Sequence, residues 1–281
     1  MPKSVLQALS WFLVFAPVTA LIVASLIRFG APAVSQSLRA ALLLYGWQLL
    51  IAAPFLAIAW ITATPNWQLL PAALAVYLIA TVCLVLPATL GWNALLGLEW
   101  NWLGKALNIT WLLALSSAWS TVSAQRIGLT LHWTPGWLLP VGLLGLALSA
   151  LAVLGSLGGS QPSPEATLFQ LTMPGLDEEL LFRGVLLTLL NTVFGTPWSL
   201  LGVNVGWGGV ISSVLFAAIH ITALDKTLAV RFNPGGSLTL VGAFAFLYVR
   251  ERTGSVWSAV IVHNLVNTMT LVGAWLAPAR R

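Results

Sequence analysis

Long apolar runs separated by short polar breaks make up almost the whole of this chain. Runs long enough for about 20 residues of helix, the length that crosses a bilayer core, begin near Val5, Ala40, Leu69, Ile109 and Trp137. A stretch rich in Gly, Ser and Pro follows, from Gly155 to Glu165, and reads as an exposed linker and soft boundary. Beyond it lie apolar runs from Ala166 to Phe194, Leu200 to Leu224, Leu238 to Val249 and Val256 to Leu276. The Leu238–Val249 run is short for a span, and the Ile109–Ser123 run is rich in serine and threonine. Either is open to a tilted, re-entrant or buried placement. No segment resembles the strands of a closed barrel. The pattern therefore predicts an all-α fold, a polytopic transmembrane helix bundle of about eight spans with a ninth possible. It divides into N-terminal helices (residues 1–155), read as support or access, and a C-terminal core (165–277).

Smaller features fit around this frame. Lys3 precedes the first apolar run, which resembles a signal peptide, but Val5 to Ile27 exceeds the usual 7–15-residue signal core and reads as an uncleaved first span. Lys3 and the terminal Arg280 and Arg281 suggest that both ends are cytoplasmic, consistent with an even number of spans. The spacing Gly202-Val-Asn-Val-Gly206 suggests a close helix–helix contact, with Asn204 as an interhelical hydrogen-bonding residue.

Composition fixes the solvent. Of 281 residues, 59% are hydrophobic and 7% charged, against about 25% charged in soluble domains. Mean hydropathy is +0.93. The net charge of +5 is scattered between the apolar runs, which suits topology signals and excludes the clustered basic face of a nucleic-acid binder. The expected setting is a multi-pass protein in the plasma membrane of a prokaryote, with membrane lipid as a partner. Cys83 is the one cysteine, so no internal disulfide forms, and it reads as a small buried hydrophobe. Many of the 15 tryptophans lie near span ends, as interfacial belts do.

Against that background the run Met173-Pro-Gly-Leu-Asp-Glu-Glu-Leu-Leu-Phe-Arg-Gly184 stands out. Asp177, Glu178 and Glu179 are three of the seven acids in the chain. One ionised carboxylate at the centre of a bilayer helix costs roughly 2.5–3.5 kcal/mol on insertion scales, so intramembrane acids mark functional sites by default. Past residue 165 the apolar segments also hold Arg183, Asn191, Asn204, His220, Arg250, His263, Asn264 and Asn267, whereas the first five spans hold no acid except near Glu99 and no histidine. The chemistry is therefore expected in the second half.

Helical spacing orders these groups. Glu179 and Arg183 are i,i+4 and can pair along one face. Glu178 is turned about 100° away, towards a cavity. Phe216 and His220, and His263 and Asn267, share the same spacing. Three helices thus offer Glu178, His220, and His263 with Asn267. The set suffices for hydrolysis. A carboxylate partly shielded from water can act as a general base near neutral pH, an imidazole can share the deprotonation of a water, and a second imidazole and a carboxamide suit a developing oxyanion. No serine or cysteine nucleophile is required.

These three motifs, Glu178-Glu179-x-x-x-Arg183, Phe216-x-x-x-His220 and His263-x-x-x-Asn267, resemble in order and spacing the signature motifs of the CPBP family, also called Abi or CAAX protease and bacteriocin-processing proteins. The flank Tyr248 to Trp257 resembles the family too, and the likeness covers about residues 165–270. It implies an intramembrane endopeptidase related to type II CAAX prenyl endopeptidases, acting on a peptide or protein substrate, possibly lipid-modified. By position, Glu178 resembles the water-activating glutamate, His220 its partner, and His263 and Asn267 the oxyanion donors. Glu179 and Arg183 would be structural support. Asp177 stands where the family more usually has a small or apolar residue, and a third acid there either alters Glu178 or sits at the interface.

Other readings compete. Glu178, Glu179 and Arg183 could form only a structural ion pair, His220 could be a hydrogen-bonded core histidine, and His263, Asn264 and Asn267 could be polar glue between helices. His132 reads as a solvated loop residue. Lys226, Arg231, Arg250 and Arg252 read as topology signals. His220, His263 and Glu178 or Glu179 could hold zinc, but the chain lacks His-Glu-x-x-His, and the reading adopted needs no cofactor. A non-catalytic immunity or scaffold factor, or a proton-coupled transporter, is the competing class. A transporter would often show duplicated halves, and none are evident.

Overall fold

The computed structural model describes residues 3–63, 65–225 and 227–276, with side chains from Ser10 onward. The side chain of Lys3, and Lys226, Arg280 and Arg281, lie outside the described residues, so the reading of orientation from the chain ends goes with them.

The chain is an all-α membrane bundle, as the apolar runs predict. Helix α1 (Lys3–Thr62) is two helices meeting at a kink. Gly30 leaves helical geometry there (φ 81°, ψ 163°), a backbone state that favours glycine, two residues before Pro32 removes a backbone donor. Next come α2 (Leu70–Leu90), the short α3 (Trp92–Leu95), α4 (Trp102–Ala118) and α5 (Leu138–Ser156). Helix α6 (Pro164–Glu179) runs through a π-helical segment, Leu180–Leu186, into α7 (Leu187–Phe194). Helices α8 (Trp207–Ile221), α9 (Thr239–Thr253) and α10 (Val256–Leu276) complete the bundle. Four helical stretches have the length and hydropathy of a bilayer span: Ser10–Thr62, Trp67–Leu90, Leu138–Ser156 and Val256–Leu276.

The segments predicted as ambiguous settle differently. Residues 109–118 of the serine-rich run are the later part of α4, which begins upstream at Trp102, where Asn101 accepts from the Gly104 N–H as its N-cap, and a 3-10 turn, Ser120–Val122, follows. The linker ends where Ser163 caps α6, with Pro164 in the first turn. Glu165, also in that first turn, accepts from the Glu99 and Trp100 N–H groups and from the Trp102 indole. One carboxylate so ties the start of α4 to the start of α6.

The reading of Gly202 to Gly206 as a helix contact is corrected. Strands β1 (Trp198–Leu200) and β2 (Val203–Val205) form an antiparallel hairpin there. Leu201 and Gly202 both have positive φ, 50° and 79°, the signature of a tight two-residue hairpin turn. Asn204 is paired with Ser199 in this ladder, not between helices. A second hairpin, β3 (Thr222–Leu224) with β4 (Val230–Phe232), follows α8 directly. Its turn is tied by Asp225, whose carboxyl is held down at about 2 by hydrogen bonds from the Thr227 hydroxyl and backbone, with further ones from Ala229 and Arg231.

The packing puts α6 between α4 and α10, while α8 lies against the π-helical segment, α1, α7 and α9. The core gathers Tyr77 of α2, Trp111 of α4, Phe182 of the π segment, Phe216 of α8 and Phe246 of α9. The site is built at its edge.

Candidate active site

The acidic run occupies the last turn of α6. Asp177 and Glu179 are fully buried and Glu178 nearly so. The following π-helical turn carries Arg183, and such turns recur at functional sites because they re-aim side chains within a continuous helix.

Each acid has different partners. Glu179 takes Arg183 Nε at 3.3 Å, the i,i+4 pair read from the spacing. Its other oxygen accepts from His263 Nδ1 at 2.7 Å. Arg183 is entirely buried, donates to the Ala243 carbonyl at 2.7 Å, and lies 4.3 Å over the Phe216 ring. Glu178 takes Lys105 Nζ on Oε1 at 2.9 Å. Its Oε2 makes no hydrogen bond among the described residues and lies 3.8 Å from His220 Nε2. Asp177 takes Lys105 Nζ at 2.9 Å and Asn108 Nδ2 at 2.7 Å. Three acids and two fixed cations leave a formal charge of −1 over this cluster, which one imidazolium would balance.

The imidazoles are oriented by their neighbours. His220 Nδ1 lies 2.9 Å from the Phe216 carbonyl. A carbonyl only accepts, so Nδ1 carries the proton and neutral His220 presents an acceptor at Nε2, towards Glu178. By the same logic His263 Nδ1 donates to Glu179. The Phe216 ring stands beside both imidazoles, at 4.9 Å from His220 and 5.7 Å from His263. Phe246 stacks on His263 at 4.8 Å. His220 keeps a third of its side chain exposed, while His263 is buried.

The structure thus brings Glu178, Glu179, Arg183, His220 and His263 into one cluster. Asn267 is one turn beyond His263 on α10, half-buried, and its side chain makes no hydrogen bond to that cluster among the described residues. Asn264 instead joins α10 to α6, accepting from the Gly175 N–H and donating to the Thr172 carbonyl. Gly175 is required at that approach, since a Cβ there would lie 2.8 Å from the Val260 carbonyl oxygen. Arg250 and Arg252 are more than topology signals. Arg250 donates to the Arg183 and Arg126 carbonyls, and Arg252 to that of Gly136, so both staple loops to α9. His132 is exposed, as read, and Cys83 is buried.

Two neighbours of the acidic cluster escaped the sequence reading. Lys105 and Asn108 come from α4, in the half read as support or access. The available signal was a Lys-x-x-Asn spacing on one face of an apolar helix. Asp177 is neither interfacial nor idle, but the buried partner of both. A cavity of about 170 Å³ opens beside this cluster, bounded by Lys105, Asp177 and Glu178 and by Gln48, Tyr77 and Thr81 of the N-terminal helices.

No group of three His, Cys, Asp or Glu side chains among the described residues is arranged to hold a metal ion. The space between Asp177 and Glu178 that would suit a cation is bridged by the Lys105 ammonium, while each histidine has Nδ1 engaged and keeps Nε2, the arrangement usual for a metal-ligating imidazole.

Comparison with known proteins agrees with the motifs. Residues 162–269 match the family model of the type II CAAX prenyl endopeptidase Rce1-like proteins. No curated protein and no solved structure matches the chain.

Proposed function

We propose that this protein is an intramembrane endopeptidase in which Glu178 and His220 activate a water for attack on a peptide carbonyl. The observation that carries the reading is the pairing of Glu178 Oε2, free of hydrogen bonds among the described residues, with His220 Nε2 at 3.8 Å. Both atoms are acceptors in the resting tautomer. One water can donate a proton to each and turn a lone pair outward, which is the pose general-base catalysis requires. As the oxygen bonds to the carbonyl carbon, its proton passes to the Glu178–His220 pair. The C–N bond then breaks and the leaving nitrogen takes that proton.

The carbonyl oxygen becomes an oxyanion and needs donors. His263 and Asn267 fill this role in the proposal. His263 Nδ1 already donates to Glu179, so Nε2 donates only in the imidazolium form, with Glu179 as its counter-charge. Asn267 would supply its carboxamide N–H once substrate reaches α10. Glu179 and Arg183 hold the frame. No step is routed through a metal, and chelation with EDTA or phenanthroline is expected to leave cleavage unchanged. Loss of activity restored by zinc would contradict this part of the mechanism.

The substrate is a peptide or protein. The family name supplies the expectation that it carries a prenyl group, and the lipid setting is compatible with one. A proteomic comparison of cells carrying the wild-type protein or Glu178→Ala tests the reading. Membrane proteins that stay uncleaved only in the variant are the expected result. Identical processing in both cell lines would overturn it.

A further inference from the structure

Lys105 belongs to none of the three motifs and lies outside the stretch that matches the family. Its ammonium nevertheless touches the proposed base. We propose that Lys105 is a positioning residue for Glu178, so that the N-terminal helices supply part of the active site itself. The inference rests on the hydrolytic reading above.

The geometry is a chain of four groups across two helices. Asn108 donates to Asp177 Oδ1 at 2.7 Å, the other Asp177 oxygen takes Lys105 Nζ at 2.9 Å, and Lys105 Nζ holds Glu178 Oε1 at 2.9 Å. Asn108 follows Lys105 by three residues on α4, so both present one face to α6. A glutamate carboxylate turns freely about its last torsion, which has no sharp well. Fixing Oε1 removes that freedom and leaves Oε2 as the oxygen presented to His220. Lys105 also separates the charges of two neighbouring acids that would otherwise repel at close range. Its side chain is only 12% exposed, so water does not screen the contact as it would at a surface. Asp177 belongs to the same device. It anchors the ammonium that aims its neighbour, which accounts for an acid directly before the pair.

The competing role is a purely structural ion pair, and kinetics separate the two. The full-length protein is reconstituted in lipid nanodiscs and its cleavage of one peptide is followed. Lys105→Met is expected to lower kcat by roughly 100-fold, the scale of a misplacement near 1 Å, with KM within about twofold. Lys105→Arg, which keeps a cation, is expected to retain a larger share of kcat than Lys105→Met. Because Lys105→Met leaves two buried acids uncompensated and can unfold the bundle, Lys105→Met/Asp177→Asn is measured beside it. That variant removes one charge of each sign, and the same loss in kcat is expected. Either Met variant, folded and with kcat within about twofold of wild type, overturns the proposal. So does a loss confined to KM, or Lys105→Arg performing no better than Lys105→Met. Glu178→Ala is assayed in parallel. If it still cleaves, the hydrolytic reading itself fails. If it is inactive while Lys105→Met cleaves normally, only the positioning role falls.

Discussion

At the scale of single residues, the site is a problem in charge accounting inside an apolar bundle. Glu179 shows this most clearly, since one carboxylate faces both Arg183 and His263. Removing a partner of a buried pair costs more than the pair contributes, because the remaining charge stays in low dielectric. Arg183→Met should therefore destabilise the protein by about 3–5 kcal/mol, read as a lowered thermal midpoint in detergent. An unchanged midpoint would show that Glu179 finds its balance elsewhere. His220→Ala belongs to the other category. His220 is partly exposed and meets the Phe216 carbonyl and ring and the Glu178 carboxylate, so stability should barely move. Steady-state kinetics should show kcat falling by roughly 10²–10⁴-fold, the usual worth of a general base. The motif residues were legible in the sequence because intramembrane ionisable groups are costly and their helical spacing is regular. The contact of Lys105 with these acids was not legible. Its partner Asp177 is 72 positions away, and no periodicity links residues on separate helices.

At the scale of elements, backbone turns do the aiming. The π-helical segment directly follows the acids, and glycines let neighbours approach where any side chain would intrude. Gly236 is one of these. A Cβ there would run into the His220 carbonyl, so the 3-10 turn Pro234–Leu238 presses directly on the end of α8. Gly236→Ala is expected to cost about 1–3 kcal/mol by overpacking and to lower cleavage by displacing His220. Thermal melts and kinetics on one preparation check both, and wild-type values in both would mean that the turn yields. Helix existence was readable from the apolar runs, and the kink at Gly30 has its cause beside Pro32. The hairpin at Trp198–Val205 was misread because small residues at a four-residue spacing serve helix contacts and tight turns alike. Only the positive φ at Leu201 and Gly202 decides between them.

At the scale of the molecule, the linker from Gly155 to Glu165 marks a boundary in sequence but not in the site. Helix α4 lies against α6, and the cavity beside Glu178 has walls from α1 and α2. A fragment beginning at the linker should therefore be inactive, although it holds all three motifs. Co-expression with the preceding helices should restore cleavage in a vesicle assay, whereas a fully active fragment would show that the first half is dispensable. The sequence indicated a bundle in lipid and where its acids lie, but side chains meeting across helices depend on packing that no local pattern encodes. The central claim is that Glu178 activates the water. Its most direct test is peptide cleavage by purified Glu178→Gln in nanodiscs, a substitution that keeps the shape of the side chain and removes the base. A folded protein with wild-type thermal stability and no detectable product is expected, and cleavage at a rate near wild type would rule out Glu178 as the base.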